Sequence, residues 1–259
     1  MKTCFETLAV AFGMFSALPV PQPAWNEKNM KYALCAFPLV GVLLGGLWLL
    51  WAKVCALLAL PDLLRGAGFC LLPVAVTGGI HLDGYADVSD AMASWATPER
   101  RQEILKDSHC GAFAIIRLCT YFVGYFALCA VLIPQRAVLL CMAVSFLLSR
   151  TLSGLAIATL PLARNSGLAH TFVSAAHRGR VRVVLSLAAL VESAVLLWLG
   201  GLSALAMLVA ALLCLWHYSR TAKKQFGGVS GDLAGWFLQK AEFWMLCALV
   251  LSQYVEGSL

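Results

Sequence analysis

Residues 77–91 read TGGIHLDGYADVSDA. The ten residues before them, AGFCLLPVAV at 67–76, carry no charge, and the stretch itself then places Asp83, Asp87 and Asp90 within eight positions. Carboxylates directly after a hydrocarbon run belong where a membrane segment meets water or a polar cavity, because an ionised side chain facing lipid is costly. The reading of this junction therefore decides whether the chain is a membrane bundle with a polar site.

The rest of the sequence answers in the same sense. Of 259 residues 61% are hydrophobic and 12% charged, with a mean hydropathy of +0.83. That lies far outside the range of soluble globular chains. Apolar blocks recur along the whole length, so the excess reflects neither a signal peptide nor a separate soluble domain. The expectation is one integral membrane domain over 1–259, all-α, a polytopic transmembrane helical bundle. Eight segments can be drawn at 3–18, 33–60, 67–79, 111–133, 137–160, 183–200, 203–219 and 242–256. Segments 3–18 and 67–79 fall short of the ~20 residues that a straight span needs, so the count is about 7–8.

Basic residues orient the drawing. If all eight segments cross, one face carries Lys28, Lys31, Arg100, Arg101, Lys106, Arg164, Arg178, Arg180, Arg182, Arg220, Lys223, Lys224 and Lys240. The other carries Lys2, Arg65 and Arg136, and Lys53, Arg117 and Arg150 fall inside spans. Lys and Arg collect on the cytoplasmic side, which makes the aspartate-bearing face cytoplasmic. The net charge of +6 is spread over four loops instead of one patch, which argues against nucleic acid as a partner and leaves membrane lipid and phosphorylated ligands. The ten cysteines include no C-x-x-C pair and read as small apolar packing residues, without a zinc or iron–sulfur site.

On a helix Asp83, Asp87 and Asp90 stand at i, i+4 and i+7, on one face. Carboxylates this close repel unless a cation neutralises them, and oxygen ligands without Cys or paired His favour a hard ion, Mg²⁺ or Mn²⁺. ILKDSHCGAF at 104–113 adds Lys106 and Asp107, and six of the thirteen acids fall between 83 and 107. Gly78, Gly79 and Gly84 allow backbone to approach a ligand closely. The plainer alternative is a solvated acidic loop of caps and turns. A second glycine-rich stretch, FGGVSGDLAG at 226–235, follows the basic RTAKKQ. Its Gly227, Gly228 and Gly231 can turn N–H groups toward phosphate oxygens, and Asp232 can hold a metal or orient a hydroxyl.

With these residues in view, the chain resembles the cobalamin synthase family, the adenosylcobinamide-GDP ribazoletransferases. The resemblance runs in order through ALPVP, FPLVGVLLGG, TGGIHLDGYADVSDA, ILKDSHCGAF, LPLARNSGL and FGGVSGDLAG. It implies a helical bundle with a polar cleft open to the cytoplasm, and a Mg²⁺-dependent transfer. In that reaction α-ribazole, or α-ribazole 5′-phosphate, displaces GMP from adenosylcobinamide-GDP. Residue by residue it implies Asp83, Asp87 and Asp90 as metal ligands and Asp107 as a further ligand or supporting group. Lys106 would compensate diphosphate charge, and His81 and Asp232 are alternative groups for deprotonating or orienting the hydroxyl. Gly78, Gly79, Gly227, Gly228, Gly231, Arg150 and Arg164 would line the substrate cleft. An oligomer is compatible with this reading. Two other classes remain open. A CDP-alcohol-type phosphotransferase would need an arginine where DGYAD has Asp87, and a cation-coupled transporter would show midplane acids and inverted repeats.

Overall fold

The computed structural model describes residues 2–256 apart from 22, 24, 108 and 164–167. The described residues are helical almost throughout, and their extended pairing is a single isolated bridge. In chain order the helices are α1 (Lys2–Phe15), α2 (Glu27–Met30), α3 (Ala33–Leu57), α4 (Asp62–Thr77), α5 (Ile80–Ala93) and α6 (Pro98–Ile104), then α7 (Ala112–Val131), α8 (Arg136–Thr159), α9 (Leu168–Ala175), α10 (Arg178–Phe226) and α11 (Gly231–Glu256). Five of them, α3, α7, α8, α10 and α11, are long and apolar enough to cross a membrane, or six spans if the bent pair α4–α5 counts as one.

The centre of the bundle is α3 against α8. Gly41 and Gly45, four apart on α3, face the backbone of α8, and a Cβ at Gly45 would lie 2.9 Å from the Ala143 carbonyl oxygen. Small residues at this spacing let two helices approach closely where no water is present to drive them together. Around that contact Trp48 stacks on Phe69 at 4.0 Å and meets the edge of Phe146 at 5.4 Å between ring centroids. Outward faces remain apolar: Leu50, Leu63, Val123, Leu190 and Trp198 are exposed, which suits a lipid solvent and would be anomalous in water.

A straight helix of 49 residues would be roughly 70 Å long, more than twice a ~30 Å hydrocarbon core. α10 has that many residues and breaks at Gly201 (φ 50°, ψ −121°). Its two arms run in opposite directions. Along the first, Arg182 Nε donates to the Ala158 carbonyl at 2.9 Å, Thr151 Oγ1 to Glu192 at 2.9 Å, and Gly200 reaches Cys141 near the start of α8. Along the second, Ser203 Oγ donates to Glu256 at 2.7 Å, and Tyr218 stacks on Phe237 at 5.1 Å. The expected segments 183–200 and 203–219 are these arms.

Two expected loops are helical. The region 220–241 is not a loop: α10 continues to Phe226 and α11 begins at Gly231, so Lys240 lies two and a half turns inside a helix. Gln239, Lys240 and Glu242 dilute the apolar run there, but Gln239 and Glu242 are buried by protein, an environment that a hydropathy window does not see. For the same reason the start of the 80–110 segment is α5, packed between α11 and α7.

Candidate functional site

Two consecutive left-handed residues, Gly78 (φ 64°) and Gly79 (φ 80°), separate α4 from α5. The chain turns there by 94°. Glycine adopts this backbone without a Cβ penalty, and a pair of them stops one helix and starts another within two residues. Ala17 N–H donates to the Val76 carbonyl at 2.8 Å, so the open end of α4 is tied to the segment after α1.

From this break α5 runs antiparallel along α11, pressed onto it by a reciprocal pair of glycines. A Cβ at Gly84 would lie 2.6 Å from the Asp232 carbonyl oxygen, and one at Gly235 would lie 2.9 Å from that of His81. Backbone contact of this kind puts the start of α11 beside the acidic face of α5. Asp83 is exposed, and Asp87, Asp90 and Asp232 are partly buried. The carboxylate of Asp87 interacts with the charges of Asp83, Asp232 and Asp90, so the four acids form one field of like charge. Gly111 closes a further side, since a Cβ there would collide with the Asp90 carboxylate.

The second glycine stretch reaches the same end of the bundle. Gly227 (φ 74°) caps α10 in the left-handed region, and Gly228 packs against the backbone of 161–163. Val229 and Leu162 form the isolated bridge, with Val229 N–H donating to the Pro161 carbonyl at 2.8 Å and Ala163 N–H to the Val229 carbonyl at 2.9 Å. Short α6 is fastened to it: Arg101 donates to Gln225, and Gln102 Nε2 donates to the Phe226 carbonyl at 2.6 Å. Gly231 opens α11 in clear space, with nothing near the position of a Cβ. The mouth of the site is thus built from α5, the 227–231 turn, the 161–163 segment and the loop before α7.

Other expected residues are placed differently. Lys106 and Asp107 lie exposed on that last loop. The His109 backbone N–H donates to Asp107 at 3.0 Å and the His109 ring Nδ1 lies 2.6 Å away, contacts that hold the Asp107 carboxyl below the usual carboxylate range. His81 is buried on the other side of α5, 5.9 Å from the ring of Phe37 between centroids, with no hydrogen-bond partner at Nε2 among the described residues. At ~100° per residue, the two steps from His81 to Asp83 take the histidine off the acidic face. Arg150 is 1% exposed and pairs with Glu242 at 2.7 Å, adding bonds to the Phe146 carbonyl at 2.8 Å and Ser149 at 3.3 Å. It serves the interior between α8 and α11. Arg164 lies outside the described residues.

Among the described residues no three His, Cys, Asp or Glu side chains are already gathered to hold a metal ion. The donor chemistry nevertheless fits a hard dication, because four carboxylates share one field with no thiolate among them. Mg²⁺ keeps several waters and takes further oxygens from substrate phosphates, so it requires no closed protein cage.

Glu242 as the partner of Arg150, and Arg101 and Gln102 as the fastening of α6, were not foreseen from sequence. For the first a signal existed: an arginine in one apolar helix implies an acid in another.

A family model for cobalamin-5-phosphate synthase matches residues 7–250. A curated adenosylcobinamide-GDP ribazoletransferase of Lachnoclostridium phytofermentans is 40% identical over 250 residues, covering 96% of this chain and 95% of its own length. Enzymes of the same name from Clostridium perfringens strain SM101 and Desulfitobacterium hafniense are 31% and 32% identical, over 94% and 92% of this chain and 96% and 94% of their own. No solved structure matches the chain. By its matched length and by these relatives, the chain belongs to the cobalamin-5-phosphate synthase family.

Proposed function

We propose that the chain is an adenosylcobinamide-GDP ribazoletransferase of the bacterial inner membrane, joining adenosylcobinamide-GDP to α-ribazole or its 5′-phosphate with release of GMP. What supports this reading, beside the family, is the geometry at one mouth of the bundle: Asp83, Asp87 and Asp90 share one face of α5, and Gly84 is packed against the backbone of Asp232. Phosphoryl-type transfer asks for charge control and an aligned nucleophile more than for covalent chemistry. In the reaction the ribazole hydroxyl oxygen bonds to the phosphorus that carries the cobinamide, and the phosphoanhydride bond to GMP breaks. The hydroxyl proton passes to a carboxylate. Asp232 is the better candidate for that acceptor, since His81 faces Phe37 behind the acids.

Asp83, Asp87 and Asp90 would hold Mg²⁺, which when bound neutralises the diphosphate and polarises it toward attack. Gly227 and Gly231 leave backbone exposed beside the mouth, and the first turn of α11 offers N–H groups to phosphate oxygens; Gly228, expected to do the same, is instead buried against 161–163 with its N–H bonded to the Ala222 carbonyl at 2.9 Å. Lys106, on its exposed loop, can follow the diphosphate charge. The basic bias places this mouth in the cytoplasm. With α10 counted as two passes and α4–α5 as one broken span, seven segments cross, and α1 is a short eighth.

Purified protein in liposomes, given adenosylcobinamide-GDP, α-ribazole and Mg²⁺, releases GMP in step with completed cobalamin and stops in EDTA. Release that persists in EDTA, or proceeds equally without α-ribazole, overturns the metal-assisted transfer. Turnover of a CDP-linked alcohol instead of the corrinoid would move the chain to the other phosphotransferase class.

A further inference from the structure

On the side of α5 turned away from its aspartates, a cavity of about 730 Å³ opens between α5, α7 and α11. Tyr85, Phe113, Trp236, Phe243 and Trp244 give it aromatic walls. Two cations also line it. Lys240 Nζ stands 4.3 Å from the centroid of the Trp236 ring, and Arg117, from α7, is near enough to repel it. Among the described residues neither has a carboxylate within ion-pair distance. The nearest acid along α11, Glu242, is already committed to Arg150.

The surroundings are lipid-facing: Ile115, Ile116 and Val123 on α7 and Trp244 on α11 are exposed. Two like charges without a counter-ion beside a lipid-facing surface are unfavourable, and such residues mark a ligand path or a bound anion. We infer that this groove seats an anionic phospholipid, its phosphate between Arg117 and Lys240 and an acyl chain along Phe113, Phe243 and Trp244. The charge selects an anion, because a phosphodiester offers both cations charge-assisted hydrogen bonds. The position selects a lipid over a soluble phosphate compound, since aromatic walls open to lipid accept hydrocarbon and tryptophans settle at the headgroup level. A substrate phosphate held by the aspartate face would be on the wrong side of α5.

The test is thermal unfolding of the purified protein in neutral detergent micelles titrated with phosphatidylglycerol, phosphatidylcholine or inorganic phosphate. Phosphatidylglycerol raises the midpoint by at least about 2 °C more than phosphatidylcholine does, and inorganic phosphate does not reproduce the rise. Arg117→Gln/Lys240→Gln loses the phosphatidylglycerol increment, Arg117→Lys/Lys240→Arg retains it, and Lys223→Gln/Lys224→Gln, which removes equal charge elsewhere, also retains it. Should the double glutamine variant fail to fold, Arg117→Gln alone, at an exposed position, loses at least half of the increment. An increment that survives in Arg117→Gln or in the double variant overturns the proposal. So does an equal rise with phosphatidylcholine, and an equal rise with inorganic phosphate reassigns the groove to a soluble anion.

Discussion

Gly84→Ala adds one methyl group where α5 meets α11 backbone to backbone. The new Cβ would lie 2.6 Å from the Asp232 carbonyl oxygen and 2.8 Å from its Cα. Carbon–heavy-atom contacts settle near 3.5 Å, so the helices must part by about 1 Å at this point. The obstacle is backbone, which cannot swing aside as a side chain would. Overpacking of this kind costs roughly 1–3 kcal/mol. The functional cost is larger, because the displacement moves Asp83, Asp87 and Asp90 relative to Asp232. A misplacement of ~1 Å in a reacting constellation lowers turnover by about 100-fold. GMP release in liposomes reads the second effect and thermal unfolding the first. Gly46→Ala is the control, since nothing lies within 4 Å of its Cβ position and a helical alanine is ~0.5–1 kcal/mol better than glycine. If Gly84→Ala unfolds and turns over as wild type does, the reciprocal glycine contact does not position the site.

Three further outcomes follow from the same geometry. Asp87→Asn relieves repulsion among the four acids, so stability without Mg²⁺ holds or rises while turnover falls by at least about 100-fold; wild-type activity in this variant would remove the acidic field from the mechanism. Glu242→Gln leaves Arg150 buried without its counter-charge and lowers stability by about 3–5 kcal/mol, whereas Arg150→Met/Glu242→Met recovers most of the loss, as chemical or thermal unfolding will show; a small loss in Glu242→Gln would mean that another group neutralises the arginine, and equal losses in both variants that the unpaired charge is not their cause. His81→Phe retains turnover within about 10-fold while Asp232→Asn loses at least about 100-fold, and the reverse order in GMP-release kinetics would return the proton to His81.

The acidic face was legible because its information is local. Three aspartates at helical spacing behind a Gly-Gly pair specify both a break and a face, and α5 with its 94° entry carries both. The same helical geometry, applied to His81, separates it from Asp83; the resemblance had implied His81 as an alternative to Asp232. The segments 183–200 and 203–219 were legible because Gly200 and Gly201 interrupt an apolar run too long for one span. What was not legible is tertiary. Nothing near Gly84 or Gly235 announces that each receives the backbone of the other helix, and nothing near Arg150 names Glu242. The first turns of α11 were hidden because hydropathy measures solvent preference along the chain, while their polar residues are covered by neighbouring helices.

The break at Gly78–Gly79 and the hairpin at Gly201 solve different problems. At Gly201 the chain has crossed the bundle, shown by Gly200 beside Cys141 and Ser203 bonded to Glu256, so the turn merely reverses it. At Gly78 the chain has not crossed back completely: Thr77 still lines a small cavity with Arg150, Gln239 and Glu242, all deep residues. A straight continuation of α4 would carry the aspartates along its original axis. The 94° turn instead lays α5 across α7 and along the start of α11, so that its acidic face meets Asp232 while His81, Leu82, Gly84, Ala86 and Val88 are buried against protein. Non-helical backbone is tolerated at such depth only when protein or a cavity surrounds it. The Ala17 bond to Val76 and the buried flank at His81 meet that condition. The glycine pair thereby turns a run of carboxylates that lipid would reject into the wall of a polar mouth.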